Sequence, residues 1–129
     1  MKTKQLKVNT NNQKYSIIIG SNIIGKLSNI FKEHSIRSKK CLLVIDKNLS
    51  QNLINKIKRS LKNTKIFTLY FKASEINKNL NNVNKILNLM LNRNFSREDV
   101  LISVGGGITG DVAGFAASIF KRGLNFINI

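Results

Sequence analysis

Residues 105–111 read Gly-Gly-Gly-Ile-Thr-Gly-Asp and directly follow the apolar run Val100-Leu101-Ile102-Ser103-Val104. Four of these seven positions are glycine and lack a Cβ atom, so the backbone there can come close to a ligand. The Ala-containing segment 112–120 predicts a helix, and we place its start between Thr109 and Asp111. Its free N–H groups and positive dipole end would then face the turn, which makes the turn a candidate phosphate site.

The glycines of this turn also match a spacing that is typical of dinucleotide-binding proteins. Gly105, Gly107 and Gly110 fit the G-x-G-x-x-G pattern, in the strand–turn–helix setting that the pattern requires. The acidic residue expected about 20 residues further on has no counterpart before Ile129. The motif alone therefore leaves a second interpretation open, a tight turn that only packs a helix against a sheet.

The order of apolar patterns predicts an α/β fold around this turn. Two strands joined by a polar turn predict an N-terminal β-hairpin, and a helix with Ser21 or Asn22 as its N-cap is expected after it. From Cys41 onward the patterns alternate as β-α-β-α-β-α-β, which favours a Rossmann-like, mostly parallel sheet with helices on both faces. The predicted strands are 5–8, 14–19, 41–45, 65–71, 100–104 and 125–129, and the predicted helices are 23–31, 49–61, 76–90 and 109–121. We expect one α/β domain, residues 1–129.

Composition narrows the classes of partner. Hydrophobic residues make up 42% of the sequence, but no apolar run approaches the roughly 18 residues that span a bilayer. The N-terminus shows no secretory signal, and the single cysteine, Cys41, suits a buried thiol in a reducing compartment, so we expect a cytoplasmic protein. The net charge is +16, but the lysines are spread along the sequence without a block of like charges. We therefore expect a lysine-rich surface, with no nucleic-acid or membrane partner.

Polar residues follow three of the predicted strands, where open α/β sheets bind their ligands. Asp46, after the strand at 41–45, could accept hydrogen bonds from ribose hydroxyls, or it could cap the helix that begins near Leu49. Glu75 and Lys78, after the strand at 65–71, could contact a nucleotide or form a surface ion pair. The glycine turn is the third of these positions.

Together these segments resemble the 3-dehydroquinate synthase family over nearly the whole chain. The matching segments are 15–20, 44–48, 75–78, the continuous run 105–117, 121–123 and 126–129. The resemblance implies an NAD-binding α/β domain followed by a helical domain with a zinc (or cobalt) site, in a homodimer. It implies a carbon–oxygen lyase of the shikimate pathway to chorismate and the aromatic amino acids. That enzyme converts 3-deoxy-D-arabino-heptulosonate 7-phosphate to 3-dehydroquinate and phosphate, with NAD recycled and the metal polarising the substrate.

The same resemblance assigns binding residues but no catalytic or metal-ligating residue within this chain. Asp46, Glu75 and Lys78 would contact the ribose and adenosine of NAD, and Gly106, Gly107 and Asp111 the pyrophosphate and nicotinamide. The full set of expected cofactor contacts is Asp46, Asn48, Glu75, Lys78, Gly105, Gly106, Gly107, Ile108, Thr109, Gly110 and Asp111. Arg122 resembles an arginine that binds the substrate phosphate, within the chain or across a dimer. The segment 121–123 can also be interpreted as a helix C-terminus with a glycine cap.

The sequence also departs from the family. Ile108-Thr109 replaces a usual Val-Val or Val-Ile pair, the turn glycine before Glu75 is absent, and His34 lacks a ligand partner nearby. The helical domain with the zinc ligands is missing, so we expect the chain to be inactive alone, or to act with a separate C-terminal chain. The alternatives are a non-catalytic NAD-binding module and a related NAD-dependent polyol dehydrogenase or sugar-phosphate cyclase.

Overall fold

The computed structural model describes residues 2–129, which form an antiparallel hairpin and a four-stranded parallel sheet. The strands are β1 (Lys4–Asn9), β2 (Lys14–Ile19), β3 (Lys40–Asp46), β4 (Lys65–Phe71), β5 (Val100–Val104) and β6 (Asn125–Asn128). The α-helices are α1 (Leu27–Glu33), α2 (Gln51–Ser60), α3 (Leu80–Asn92) and α4 (Gly107–Ile119). The predicted hairpin, the parallel sheet and the alternation of strands and helices are confirmed.

The parallel sheet has two buried faces because its central strands, β3 and β5, are buried along their length and carry apolar side chains on both faces. Along β3, Cys41, Leu43 and Ile45 pack with α1 and α2, whereas Leu42 and Val44 pack with α3 and α4. All five side chains are fully buried. A strand covered on both faces has no polar face to alternate with, which explains the continuous apolar run in the sequence.

The strand order β4-β3-β5-β6 creates a switch point between β3 and β5. After β3 the chain turns to α2 on one face, and after β5 it turns to α4 on the other face. The two connections leave in opposite directions, so a crevice opens at the carboxyl ends of these neighbouring strands. In open α/β sheets this is the position where ligands bind.

The boundaries of two predicted helices were wrong, for local reasons. Helix α4 begins at Gly107 with Gly106 as its N-cap, rather than at Thr109 to Asp111, so the glycines themselves form its first turn. It ends at Ile119, because Lys121 and Arg122 adopt positive φ angles (45° and 67°) in a short 3-10 turn. The predicted helix 23–31 divides into a 3-10 turn, Ile23–Lys26, followed by α1, and the Asn22 side chain does not cap it.

The predicted helical stripe that began at Ile76 was also wrong at its start. Residues 75–77 form a separate 3-10 turn, and the Ile76 side chain is 87% exposed. Helix α3 begins after Asn79, whose side-chain oxygen accepts a hydrogen bond from the Asn82 N–H at 3.0 Å. Asparagine is a strong N-cap, so it sets the helix start after the apolar pattern has already begun. Within residues 2–129 no helix is long and apolar enough to cross a membrane.

Candidate functional site

Asp46 and Gly105 meet at the crevice between β3 and β5. The register pairs Ile45 with Val104, so the next residue of each strand lies at the same level of the sheet. A Cβ atom built on Gly105 would lie 3.0 Å from the Asp46 Cβ and 2.9 Å from the Thr109 Oγ1. Gly105 also has a φ of 154°, which side-chain-bearing residues rarely adopt. Glycine is therefore required here by both contact and conformation.

Gly106 and Gly107 have open space around their Cβ positions, whereas the Cβ position of Gly105 is closed off by neighbouring atoms. A Cβ atom on either residue would meet nothing within 4 Å, and both residues are exposed. They form the N-cap and the first residue of α4, where N–H groups have no partner within the helix. The Gly110 N–H donates a hydrogen bond to the Gly106 carbonyl at 3.1 Å, at the first turn of the helix. The turn thus presents backbone donors and a positive helix end to solvent, which suits an anion such as a phosphate.

Thr109 lies beneath this turn and is fully buried. Its Oγ1 atom has no hydrogen-bond partner anywhere in residues 2–129. A buried polar atom without a partner costs free energy, so such atoms are rare in folded proteins. Ile108 beside it is half-buried and packs on the core of the α3 and α4 face.

An ion pair joins the loop after β4 to the first turns of α4. The Lys78 ammonium lies 2.9 Å from the Asp111 carboxylate, and both side chains are largely exposed. The hydrogen bond to Asp111, its charge and the charge of Glu75 raise the pKa of Lys78. The alternative interpretation, a surface pair between Glu75 and Lys78, is therefore wrong, because Lys78 pairs with Asp111 and so joins the loop after β4 to the first turns of α4.

The alternative role of Asp46, as a helix cap, is contradicted by the structure. Ser50 caps α2, because its hydroxyl accepts from the Leu53 N–H at 3.4 Å. The Asp46 carboxylate instead accepts one bond, from the Asn48 N–H at 3.0 Å. An Asp carboxylate has further acceptor sites, so Asp46 and the exposed Asn48 remain available to a ligand at the crevice.

Sequence reasoning missed Asn128 as a supporting residue. Its side chain hydrogen-bonds the Ser103 hydroxyl, and its Oδ1 lies 3.0 Å from the Cβ position of Gly110. Gly110 is therefore glycine because Asn128 occupies the space beside it. Only the strand order, which brings β6 beside β5, reveals this contact, and the local sequence carries no signal of it.

Arg122 does not join the other predicted contacts within one chain. It lies beyond the C-terminal end of α4, whose 13 residues span about 20 Å from Gly107. It is thus near the amino ends of the strands, opposite to the glycine turn. A solvent-open depression of about 510 Å³ lies at that end, lined by Arg97, Glu98, Gly123, Leu124 and Asn125. Gly123, with φ 103°, closes the turn before β6 as a glycine cap would.

The described residues do not fit a zinc or cobalt site. Across residues 2–129 there is no group of three or more His, Cys, Asp and Glu side chains that could hold a metal ion. His34 is exposed near the hairpin, and Cys41 is buried in the core, where burial and the charge of Asp99 raise the pKa of its thiol. The predicted buried thiol is confirmed.

Residues 68–129 match the family model of the 3-dehydroquinate synthase N-terminal domain. The chain is 58% identical over 125 residues to the 3-dehydroquinate synthase of Pelagibacter ubique (strain HTCC1062), covering 97% of this chain and 34% of that protein. It is 37% identical over 128 residues to the 3-dehydroquinate synthase of Clostridium botulinum (strain Alaska E43 / Type E3), covering 98% and 36%. The chain thus spans about a third of the length of these curated relatives.

Solved structures show the same fold at low sequence identity. The crystal structure of 2-deoxy-scyllo-inosose synthase complexed with carbaglucose-6-phosphate, NAD+ and Co2+ gives a TM-score of 0.87 at 19% identity, covering 98% of this chain and 35% of that one. The 2-epi-5-epi-valiolone synthase from Streptomyces hygroscopicus subsp. jinggangensis 5008, with NAD+ and Zn2+ bound, gives 0.66 at 21% identity, covering 79% and 29%. The predicted Rossmann-like fold class is confirmed.

Proposed function

The chain belongs to the 3-dehydroquinate synthase family, and from this premise we propose that residues 1–129 form its NAD-binding part. The dinucleotide would lie across the carboxyl ends of β3 and β5, with its pyrophosphate against the glycine turn. The observation that carries this proposal is the pairing of a closed Gly105 with open Gly106 and Gly107 at the switch point of the sheet.

Each group at the crevice has a chemical role in this proposal. The N–H groups at the start of α4 would bind the pyrophosphate, since donors and a positive dipole end favour a doubly charged group. Asp46 would accept hydrogen bonds from a ribose, because its carboxylate accepts only one bond within residues 2–129. Lys78 and Glu75 would contact the adenosine side, from the loop after β4. When bound, NAD supplies a hydride acceptor and donor for a substrate alcohol and ketone.

We propose that the working enzyme cyclises 3-deoxy-D-arabino-heptulosonate 7-phosphate to 3-dehydroquinate with release of phosphate. This chain alone would not complete that reaction, because residues 2–129 hold no candidate metal centre. Arg122 would reach a substrate phosphate only in the site of another copy, since it lies about 20 Å from the glycine turn along α4. The proposed assembly is a homodimer, or a complex with a separate chain that supplies the metal ligands.

The test is a titration of the 129-residue chain with NAD. Calorimetry measures the binding, and NMR measures the change in amide chemical shifts. We expect saturable binding, with shifts concentrated at residues 105–111 and at Asp46 and without shifts near Arg122. No binding, or shifts confined to the Arg122 end of the sheet, would contradict the proposal. Duplex DNA provides a control for the +16 charge, because nonspecific DNA binding falls steeply with salt and would not depend on NAD.

A second assay tests the activity of the chain alone. Phosphate release is measured from 3-deoxy-D-arabino-heptulosonate 7-phosphate with NAD and Zn2+ added. We expect no release above the chain-free control. Repeated turnover by the 129-residue chain would refute the proposal that its site is incomplete.

A further inference from the structure

The buried hydroxyl of Thr109 has a role that rests on the proposed NAD site. Thr109 is 0% exposed, its Oγ1 has no partner within residues 2–129, and it lies against the backbone of Gly105. The threonine hydroxyl can donate one hydrogen bond and accept two. A fold that buries such a group without a partner gains nothing from the hydroxyl in its ligand-free form.

The peptide group between Gly105 and Gly106 lies next to this hydroxyl, and the peptide groups on either side of it are both hydrogen-bonded. On one side the Gly105 N–H is fixed to the Ile129 carbonyl at 3.0 Å. On the other side the Gly106 carbonyl is fixed to the Gly110 N–H at 3.1 Å. The intervening peptide is flanked by two glycines, so it can turn about its neighbouring bonds without a side-chain clash.

We infer that Thr109 is a positioning residue that holds this peptide in the ligand-bound orientation. A peptide N–H and its carbonyl point in opposite directions. When a phosphate draws the Gly106 N–H outward, the Gly105 carbonyl turns inward, toward the buried hydroxyl. Thr109 then donates a hydrogen bond to that carbonyl, so the bound state gains a bond that the free state lacks. The hydroxyl acts through the backbone and does not touch the cofactor.

Two substitutions separate the hydroxyl from the shape of the side chain. Thr109→Val removes the hydroxyl and keeps the branched shape, whereas Thr109→Ser keeps the hydroxyl. We expect T109V to bind NAD about three- to ten-fold more weakly, the range of one ordinary hydrogen bond. Its melting temperature without NAD should equal or exceed that of the wild type, because a buried unpaired group is removed. T109S should bind NAD within about two-fold of the wild type.

The NMR shift of the Gly106 amide gives a readout that a purely structural residue would not move. We expect NAD to shift this amide in the wild type and in T109S, and to shift it less in T109V. The inference is overturned if T109V binds as well as the wild type with the same Gly106 shift. It is also overturned if T109S loses as much affinity as T109V, because the methyl group would then be responsible. A wild-type chain that fails to bind NAD refutes the proposed function and this inference together, whereas normal binding by T109V refutes the inference alone.

Discussion

The two ends of the parallel sheet differ in how completely their polar groups are hydrogen-bonded. At the amino end, the Asp99 carboxylate is 4% exposed and accepts bonds from the Lys40 N–H at 3.0 Å and the Ser96 N–H at 2.8 Å. At the carboxyl end, the Thr109 hydroxyl has no partner within residues 2–129, and the glycine turn faces open space. Polar groups whose hydrogen bonds are all made within the protein hold the fold together, whereas polar groups at a crevice that lack a partner are available to a ligand.

The two aspartates next to β3 make the contrast sharper. Asp99 lies beside the first residue of β3 and ties two segments together, whereas Asp46 ends the same strand and, among the residues that the structure describes, accepts only from the Asn48 N–H. Residue type is therefore uninformative about role here, and the count of satisfied bonds is the useful measure. The comparison predicts large stability effects at the amino end and large binding effects at the carboxyl end.

The largest expected effect is from Asp99→Ala. The substitution leaves two backbone N–H groups without their carboxylate acceptor, so we expect the free energy of unfolding to fall by about 3 kcal/mol. Urea denaturation followed by circular dichroism measures this. The neighbouring Glu98→Ala, at an exposed side chain, is the matched control and should change stability by less than about 0.5 kcal/mol. An Asp99→Ala variant as stable as this control would mean that the amino end is not held by Asp99.

The next effect is from Gly105→Ala at the opposite end. Its φ of 154° and its close approach to Thr109 and Asp46 leave no room for a Cβ atom. We expect a loss of about 2 kcal/mol in the free energy of unfolding, together with loss of NAD binding, since strained backbone of this kind costs about 1–3 kcal/mol. Thermal unfolding and calorimetry give the two numbers. Unchanged stability would mean that the turn relaxes enough to admit a Cβ atom at Gly105.

Gly107→Ala is predicted to separate stability from binding. Gly107 begins α4 and has open space around its Cβ position, so alanine should raise the free energy of unfolding by about 0.5 kcal/mol. The added methyl group would nevertheless project toward the proposed pyrophosphate, and we expect NAD affinity to fall about ten-fold, or about 1.4 kcal/mol. Chemical denaturation and calorimetry on the same variant provide the test. Unchanged affinity would place the pyrophosphate elsewhere on the turn.

The fold was predictable from the sequence because the apolar pattern of each strand and helix is local. The continuous run at β3 and the helical spacing along α2 need no tertiary information. The starts of α3 and α4 were not predictable in this way. Asn79 and Gly106 set them through capping and backbone freedom, against the apolar pattern. The start of α4 matters most for the candidate site. It makes Gly107 the first residue of the helix, so the Gly107 N–H has no partner within the helix and lies at the glycine turn.

The candidate site was predictable in its membership but not in its contacts. The glycine turn, Asp46 and Lys78 follow from strand ends, whereas the partner of Lys78 depends on how the loop after β4 meets α4. The distant position of Arg122 follows from α4 running back along the sheet. The Asn128 contact depends on strand order, which no local pattern encodes. Long-range geometry decides which of the predicted residues meet.

The smallest expected effect is from Lys78→Met, with Lys85→Met as a control at another exposed lysine. Removing an exposed ion pair should leave the unfolding midpoint at neutral pH unchanged, but NAD affinity should fall about three-fold in Lys78→Met only. An ordinary lysine, with a pKa of about 10.4, is already charged at neutral pH, and pairing with Asp111 raises the pKa of Lys78 further, so the ammonium keeps its charge through neutral pH and loses it as the pH rises beyond that value. The affinity difference between the two variants should therefore be constant from about pH 6 to pH 9. Equal losses in both variants would assign the effect to the overall positive charge rather than to the carboxyl end of the sheet.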